Sequence, residues 1–162
     1  SGSNSFSWLT QLDYSPVKDL EIRIAYKYLK AEEAFGEGQN SLAYAIPKHR
    51  GFLNVGYAFP LKITADATLN WFDSRRLPGN SSLPTPFGEP VMSPSYFTLN
   101  GQVNKQWRDH WEVYVGVENA LNYKVDHPIT SSSNPYLASF DTNQVYGPIF
   151  GRMFYLGFNY HL

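Results

Sequence analysis

The sequence has no cysteine in its 162 residues, so it offers neither a disulfide framework nor a thiolate metal site. Cationic and acidic side chains nearly balance, and a formal net charge of −1 gives no electrostatic reason to bind nucleic acid. No apolar run approaches the roughly 18 residues of a membrane-crossing helix. The four histidines show no HxH or HExxH spacing, and neither a GxSxG elbow nor a P-loop occurs. We therefore predict no metal, no cofactor and no enzymatic activity.

Aromatic residues are abundant instead, and the C-terminal stretch shows how they are arranged. From Phe154 to Leu162 every second residue is apolar, which is typical of a β-strand with two unlike faces. The spacing of Gly157, Tyr160 and Leu162 resembles the C-terminal assembly signal of bacterial outer-membrane β-barrels, although Leu156 stands where that signal often has a polar residue. The resemblance implies that the barrel assembly machinery recognises this end of the chain.

Six earlier stretches alternate in the same way, so we predict about seven antiparallel strands in an all-β, up-and-down arrangement. The six are 6–14, 20–31, 50–59, 61–73, 96–107 and 111–123. The connections are alternately short and long, as in transmembrane barrels with short periplasmic turns and long extracellular loops. The long loops are predicted over 32–47, 74–95 and 124–144.

Two architectures remain open from this pattern. The first is a transmembrane barrel, with a large apolar parity facing lipid and Asn, Gln, Thr, Asp and Glu facing a wet lumen. The second is an independent small β-barrel or β-sandwich that binds a ligand without transport. Aromatics on the apolar parity beside the short turns favour the barrel, since they predict an interfacial girdle. These residues are Tyr14, Phe59, Trp107 and Trp111, and Trp71 would belong to the opposite girdle.

Several motifs in order add a family resemblance. They are Gly116, Glu118 and Asn119 followed by Tyr123; His127-Pro128-Ile129; Asn134-Pro135-Tyr136 with Phe140-Asp141; and Tyr146-Gly147-Pro148 with Gly151-Arg152. Together they resemble the C-terminal strands of TonB-dependent outer-membrane receptors of the kind common in Bacteroidetes. Residues 1–95 fit that family through the alternation of short and long connections between strands rather than through sequence motifs.

The resemblance implies a barrel of about 22 strands, a plug domain and a TonB box. We expect residues 1–162 to be a C-terminal segment of that barrel, with the plug and the TonB box absent from it. Expected partners are the remaining strands and plug of the same receptor, TonB indirectly, and outer-membrane lipid. The C-terminus would lie in the periplasm. Seven antiparallel strands cannot close on themselves without one parallel pair, so further strands are required.

Loops on a rigid scaffold commonly carry recognition. Aromatic and arginine side chains in or near the long loops are therefore candidate ligand contacts: Tyr44, Trp71, Arg75, Arg76 and Phe87. They suit a siderophore, corrinoid, glycan or peptide, and packing of the loops is an equally good reason for their presence.

Overall fold

The computed structural model describes residues 3–34, 40–42, 46–77, 92–107, 110–126, 128, 136–137 and 145–160. The strands are β1 (Ser3–Val17), β2 (Leu20–Ala34), β3 (Asn40–Leu42), β4 (His49–Phe59), β5 (Ile63–Phe72), β6 (Tyr96–Trp107), β7 (Trp111–Glu118) and β8 (Met153–Tyr160). Seven of them pair in the order β1-β2-β4-β5-β6-β7-β8, every pair antiparallel, and β3 pairs with the end of β2. The predicted all-β meander of seven strands is confirmed.

The registers place the predicted apolar parities on one face of the sheet, which we call the apolar face. One row across it runs Leu12, Ile24, Leu53, Leu69 and Leu99. Because side chains alternate between faces with a period of two, aligning one row aligns the rest of each strand. This face stays uncovered: Leu156 is 75% exposed and Phe158 is 69% exposed. A sheet with so much exposed apolar surface requires an apolar medium or a partner.

The opposite face, which we call the polar face, carries hydrogen bonds between neighbouring strands. Asn54 donates to Asp66 at 2.6 Å and to Thr68 at 2.9 Å. The hydroxyl of Tyr155 donates to Oε1 of Gln102 at 2.8 Å, which crosses from β8 to β6. These contacts are those of a wet surface rather than of a buried core.

Two glycines on the polar face lie under tyrosine rings of the adjacent strand. Gly116 of β7 is opposite Tyr155 of β8, and Tyr114 of β7 is opposite Gly157 of β8. A Cβ atom on either glycine would overlap the facing ring. The ring covers the backbone that the glycine leaves bare, which is a recognised way to fix strand register.

Several predicted boundaries need correction. β1 runs from Ser3 to Val17 rather than over 6–14. β5 begins at Ile63 rather than Leu61, because Leu61 (φ 66°) and Lys62 (φ 59°) adopt left-handed turn conformations. β7 ends at Glu118 rather than near Tyr123, because Asn119 (φ 50°) turns the chain. The predicted loop over 32–47 contains β3 and the last residues of β2.

The sheet has two distinct ends. Short connections join β1 to β2, β4 to β5 and β6 to β7 at the short-turn end, and all longer connections leave from the long-loop end. The buried hydrophobic side chains of the described residues are Leu77, Tyr96 and Val125, at or just beyond the long-loop end. No helix among the described residues is long and apolar enough to cross a membrane. The packed core of the described part therefore lies at the base of the long loops.

Candidate ligand site at the long-loop end

The loop that follows β5 is fastened at its base. The backbone N–H of Arg75 donates to Oγ of Ser93 at 3.1 Å, and the N–H of Ser93 donates to the carbonyl of Arg75 at 2.9 Å. Arg76 and Met92 form an isolated antiparallel bridge beside them. These bonds bring the two ends of the loop together and hold both arginines against the end of the sheet.

A stack of aromatic rings stands on the polar face at this point. The ring of Tyr96 lies between Phe72, at a centroid distance of 4.9 Å, and Tyr123, at 4.6 Å and nearly parallel. The guanidinium of Arg75 lies 6.0 Å from the Tyr96 ring centroid, and its Nη2 donates to the Tyr96 hydroxyl at 3.3 Å. That hydroxyl donates to the carbonyl of Tyr146 at 3.2 Å. Tyr96 therefore joins three segments of the chain through one buried ring.

Two residues of the family-like motifs, Asn119 and Arg152, hold the segment that follows β7 in place. Asn119, only 6% exposed, donates through Nδ2 to the carbonyls of Tyr123 (2.6 Å) and Phe150 (3.2 Å). Its Oδ1 accepts from the Tyr123 N–H at 3.1 Å, and its own N–H donates to Oδ1 of Asn100 at 2.9 Å. Nε of Arg152 donates to the carbonyl of Ala120 at 2.9 Å. The motifs thus fix the loop bases to the sheet.

The phenol of Tyr123 titrates abnormally in this setting. Burial, together with a hydrogen bond of 3.0 Å between its hydroxyl and that of Tyr146, raises the pKa of Tyr123 well above its usual range. Its hydroxyl therefore stays protonated and able to donate at all physiological pH values.

A cavity of about 240 Å³ opens beside the fastened loop base. Its charged lining consists of Lys48, Arg75, Arg76 and Asp73, and its apolar lining includes Leu29 and Met92. Arg75 is buried, whereas Lys48 is exposed. Three cations around one carboxylate make the cavity electropositive, and the aliphatic walls reduce screening of that charge.

A second cavity of about 220 Å³ lies on the polar face nearby, lined by Lys27, Arg50, Asn70 and Phe72 among others. The Arg50 guanidinium lies 5.4 Å from the Phe72 ring centroid, at the outer side of the aromatic stack. Aromatic faces and cations therefore alternate along this end of the polar face.

The predicted ligand contacts separate into three groups. Arg75 and Arg76 lie together in the first cavity. Trp71 has the apolar parity of β5, with its ring over Gly51, and is part of the lining of the second cavity rather than the first. Tyr44 and Phe87 lie outside the described residues.

Sequence reasoning missed Lys48, Arg50 and Tyr96. Their signal was nevertheless present, because each occupies the polar parity at the long-loop end of its strand or just beyond it. Counting polar-parity charges and rings next to the predicted loops would have found them.

The predicted girdle residues lie where the pattern placed them. Tyr14, Phe59, Trp107 and Trp111 are all on the apolar face at the short-turn end, each 46–67% exposed. Trp71 is at the other end of that face, in a band of aromatics that the sequence analysis did not assemble: Trp8, Tyr26, Tyr28 and Phe97. Contact of both bands with lipid headgroups stays a prediction.

The residues of the predicted assembly signal occupy two faces of β8. Gly157 lies under the Tyr114 ring on the polar face, while Tyr160 lies on the apolar face against Trp111, with ring centroids 4.8 Å apart. Leu162 lies outside the described residues. Within the described residues, no group of three His, Asp or Glu side chains is placed to hold a metal ion.

No family model and no curated protein matches this sequence. Solved structures, in contrast, match the fold of this chain. The chain is similar to a structure of the FpvAI–pyocin S2 complex, with a TM-score of 0.68 and 12% identity over 98% of this chain. It is also similar to the pyoverdine outer membrane receptor FpvA from Pseudomonas aeruginosa PAO1 bound to pyoverdine, with a TM-score of 0.63 and 12% identity over 99% of this chain.

The chain spans about a fifth of the length of these solved chains, 19% and 22% respectively. At this identity the similarity is one of fold. The fold is that of part of the barrel of a TonB-dependent outer-membrane receptor, as the motif resemblance predicted.

Proposed function

We propose that the chain forms part of the barrel wall of an outer-membrane active-transport receptor, which takes up a scarce nutrient with energy supplied through TonB. The observation that carries this proposal is the pairing of an exposed apolar face, banded by aromatics at both ends, with a hydrogen-bonded polar face. Lipid on one side and water on the other satisfy both faces of such a sheet. The similarity to the pyoverdine receptor supports the same reading.

In this proposal the long-loop end faces the exterior, and the short-turn end, with the C-terminus, lies in the periplasm. This is the orientation in which transmembrane barrels have long extracellular loops and short periplasmic turns. Residues 1–162 then make a C-terminal segment of the barrel, and the plug and the TonB box belong to other parts of the receptor.

The remaining wall comes from strands outside these residues. Among the described residues β1 and β8 each have a neighbour on one side only. A strand edge is not tolerated in lipid, and single-chain bacterial barrels have even strand numbers. The seven strands of the meander must therefore be completed by an odd number of others.

The nutrient would be captured at the long-loop end, where cavities and the aromatic stack meet. Siderophores, corrinoids, glycans and peptides all combine flat or apolar parts with polar groups, which suits rings next to arginines. Transport would follow from rearrangement of the plug.

The direct test is an immunoblot of fractionated native cells under denaturing conditions. We expect a band in the outer-membrane fraction several times heavier than the 18.5 kDa of these residues, because the solved receptor chains are about five times longer. An outer-membrane band near 18.5 kDa would mean that the other strands come from separate chains. A band of that mass in the soluble fraction would contradict the proposal.

A further inference from the structure

The polar face carries its charges unevenly from end to end. Five cations gather at the long-loop end: Lys27, Lys48, Arg50, Arg75 and Arg76. Toward the short-turn end the face carries the carboxylates of Asp13, Glu21, Asp66 and Glu112, with Arg23 paired to Asp13, and Lys18 and Lys62 lie in the turns there.

The carboxylate that lines the first cavity is Asp73, whose Oδ1 accepts from the N–H of the adjacent Ser74 at 2.8 Å. Glu118 ends β7 on the other side of β6, and Asp126 lies close enough to Tyr123 to contribute to raising the pKa of that phenol. The excess of cations at the long-loop end attracts anions to that end of the face.

The first cavity has the construction of an anion subsite. Arg75 is held in place before any ligand arrives, because its backbone is bonded to Ser93 and its guanidinium contacts Tyr96. Arg76 and Lys48 line the same space from the next residue and from the start of β4. Planar guanidinium groups bind carboxylate and phosphate oxygens in pairs, which gives geometric selectivity as well as strength.

We propose that this cavity is a subsite for an anionic oxygen group, a carboxylate or phosphate, on the nutrient that the receptor takes up. The inference rests on the proposed function and adds to it the charge of the substrate. The group belongs to a water-soluble ligand rather than to a membrane lipid, because the cavity opens among the polar-parity residues Leu29 and Ala31 of β2 and not on the apolar face. Phe72 and Tyr123, which end the neighbouring aromatic stack and are only partly buried, then contact a flat or apolar part of the same ligand.

Citrate is a suitable probe because it is small, carries three carboxylates, and has an uncharged counterpart of the same skeleton in trimethyl citrate. Binding of radiolabelled citrate to the full-length receptor in detergent would be measured by equilibrium dialysis at low ionic strength. We expect saturable binding that weakens as salt is added, since salt screens exposed charges. Trimethyl citrate should not compete.

Two variants locate the binding. Lys48→Gln and Arg76→Gln should each weaken citrate binding by about tenfold, the loss expected for one charge-assisted contact. Lys18→Gln removes the same charge from an exposed position at the short-turn end and should change the affinity less than about twofold. Arg76→Lys should keep part of the affinity. All variants are compared at equal outer-membrane yield, so a folding defect does not count as a loss of binding.

The subsite is wrong if the wild-type receptor does not bind citrate, if trimethyl citrate competes equally, or if Lys18→Gln weakens binding as much as Arg76→Gln. Failure of the subsite leaves the heavy outer-membrane band unchanged. A soluble chain would refute the proposed function whatever the citrate result, so the two failures are distinguishable.

Discussion

At the scale of single residues, Tyr96 shows how one side chain can organise a loop region. It is stacked on both sides, receives a hydrogen bond from Arg75 and donates one to Tyr146. Gly147 lies so close that a Cβ there would be 3.0 Å from the Tyr96 ring. The glycine of the Tyr-Gly-Pro motif is therefore explained by the approach of a ring that precedes it by some fifty positions.

The tyrosine-covered glycines give a residue-scale prediction. Gly157→Ala should lower the free energy of unfolding of the full receptor by about 1–3 kcal/mol, because the new methyl group overlaps the Tyr114 ring and forces it to move. Thermal unfolding in detergent, followed by tryptophan fluorescence, measures the change.

Gly56→Ala is the matched control, since its Cβ would be an ordinary 3.7 Å from Asp66 Oδ2 on the same face. It should leave the unfolding transition nearly unchanged. Equal destabilisation by both substitutions would show that the rings do not constrain the glycines.

Asn119 shows what the sequence could not provide at this scale. This residue of the Gly116–Asn119 motif ties the end of β7 to neighbouring segments of the chain. Its three partners, Asn100, Tyr123 and Phe150, come from three segments and are fixed only when the sheet has formed. Nε of Arg152 donates to the Ala120 carbonyl, a backbone partner that side-chain chemistry does not reveal.

At the scale of strands, period-two alternation was sufficient to find all seven members of the meander and the face to which each residue points. The residues at which strands begin and end were harder to predict from the sequence than the strands themselves. β3 is three residues long and carries no alternation of its own, so only its pairing with Glu32–Ala34 defines it. The cavity was beyond reach for a similar reason, because Lys48 and Arg76 are brought together by strand pairing across a loop.

The two faces can be distinguished by charge insertion on one strand. Leu12→Arg on the apolar face should reduce the free energy of unfolding in lipid by about 2–4 kcal/mol, the cost of a charge near the bilayer midplane. Gln11→Arg, the adjacent residue on the polar face, is the control and should have little effect, because the new guanidinium remains close to Asp13. The yield of receptor folded into lipid vesicles measures both. If both variants fold equally well, the apolar face does not contact lipid.

The last strand supports a prediction about assembly. Deleting Tyr160 to Leu162 should abolish insertion into the outer membrane, because the resemblance assigns the assembly signal to this end of β8. The amount of receptor in washed outer membranes is the measurement. Asn159→Ser, which alters only the polar face of the same strand, should insert normally, and unchanged insertion of the deletion variant would refute the assignment.

At the scale of the whole molecule, the two ends of the sheet differ in packing and in charge. The long-loop end contains the packed core, the cavities and the cations, whereas the short-turn end contains tight connections and an aromatic band. Packing only one end leaves the rest of the sheet dependent on its surroundings. The sheet therefore requires an apolar medium or a partner against its apolar face.

The alternating order of glycine and tyrosine on β7 and β8 also disfavours pairing of these two strands in a wrong register. If β8 slipped by two residues in one direction, Tyr114 would face Tyr155, and the two rings would clash above the same stretch of backbone. A slip in the other direction would set Gly116 against Gly157 and leave a strip of bare backbone. Both wrong alignments keep the apolar residues on the correct face, so hydrophobicity alone would not detect them. β8 therefore carries a check on its alignment with β7 that does not depend on which face is apolar.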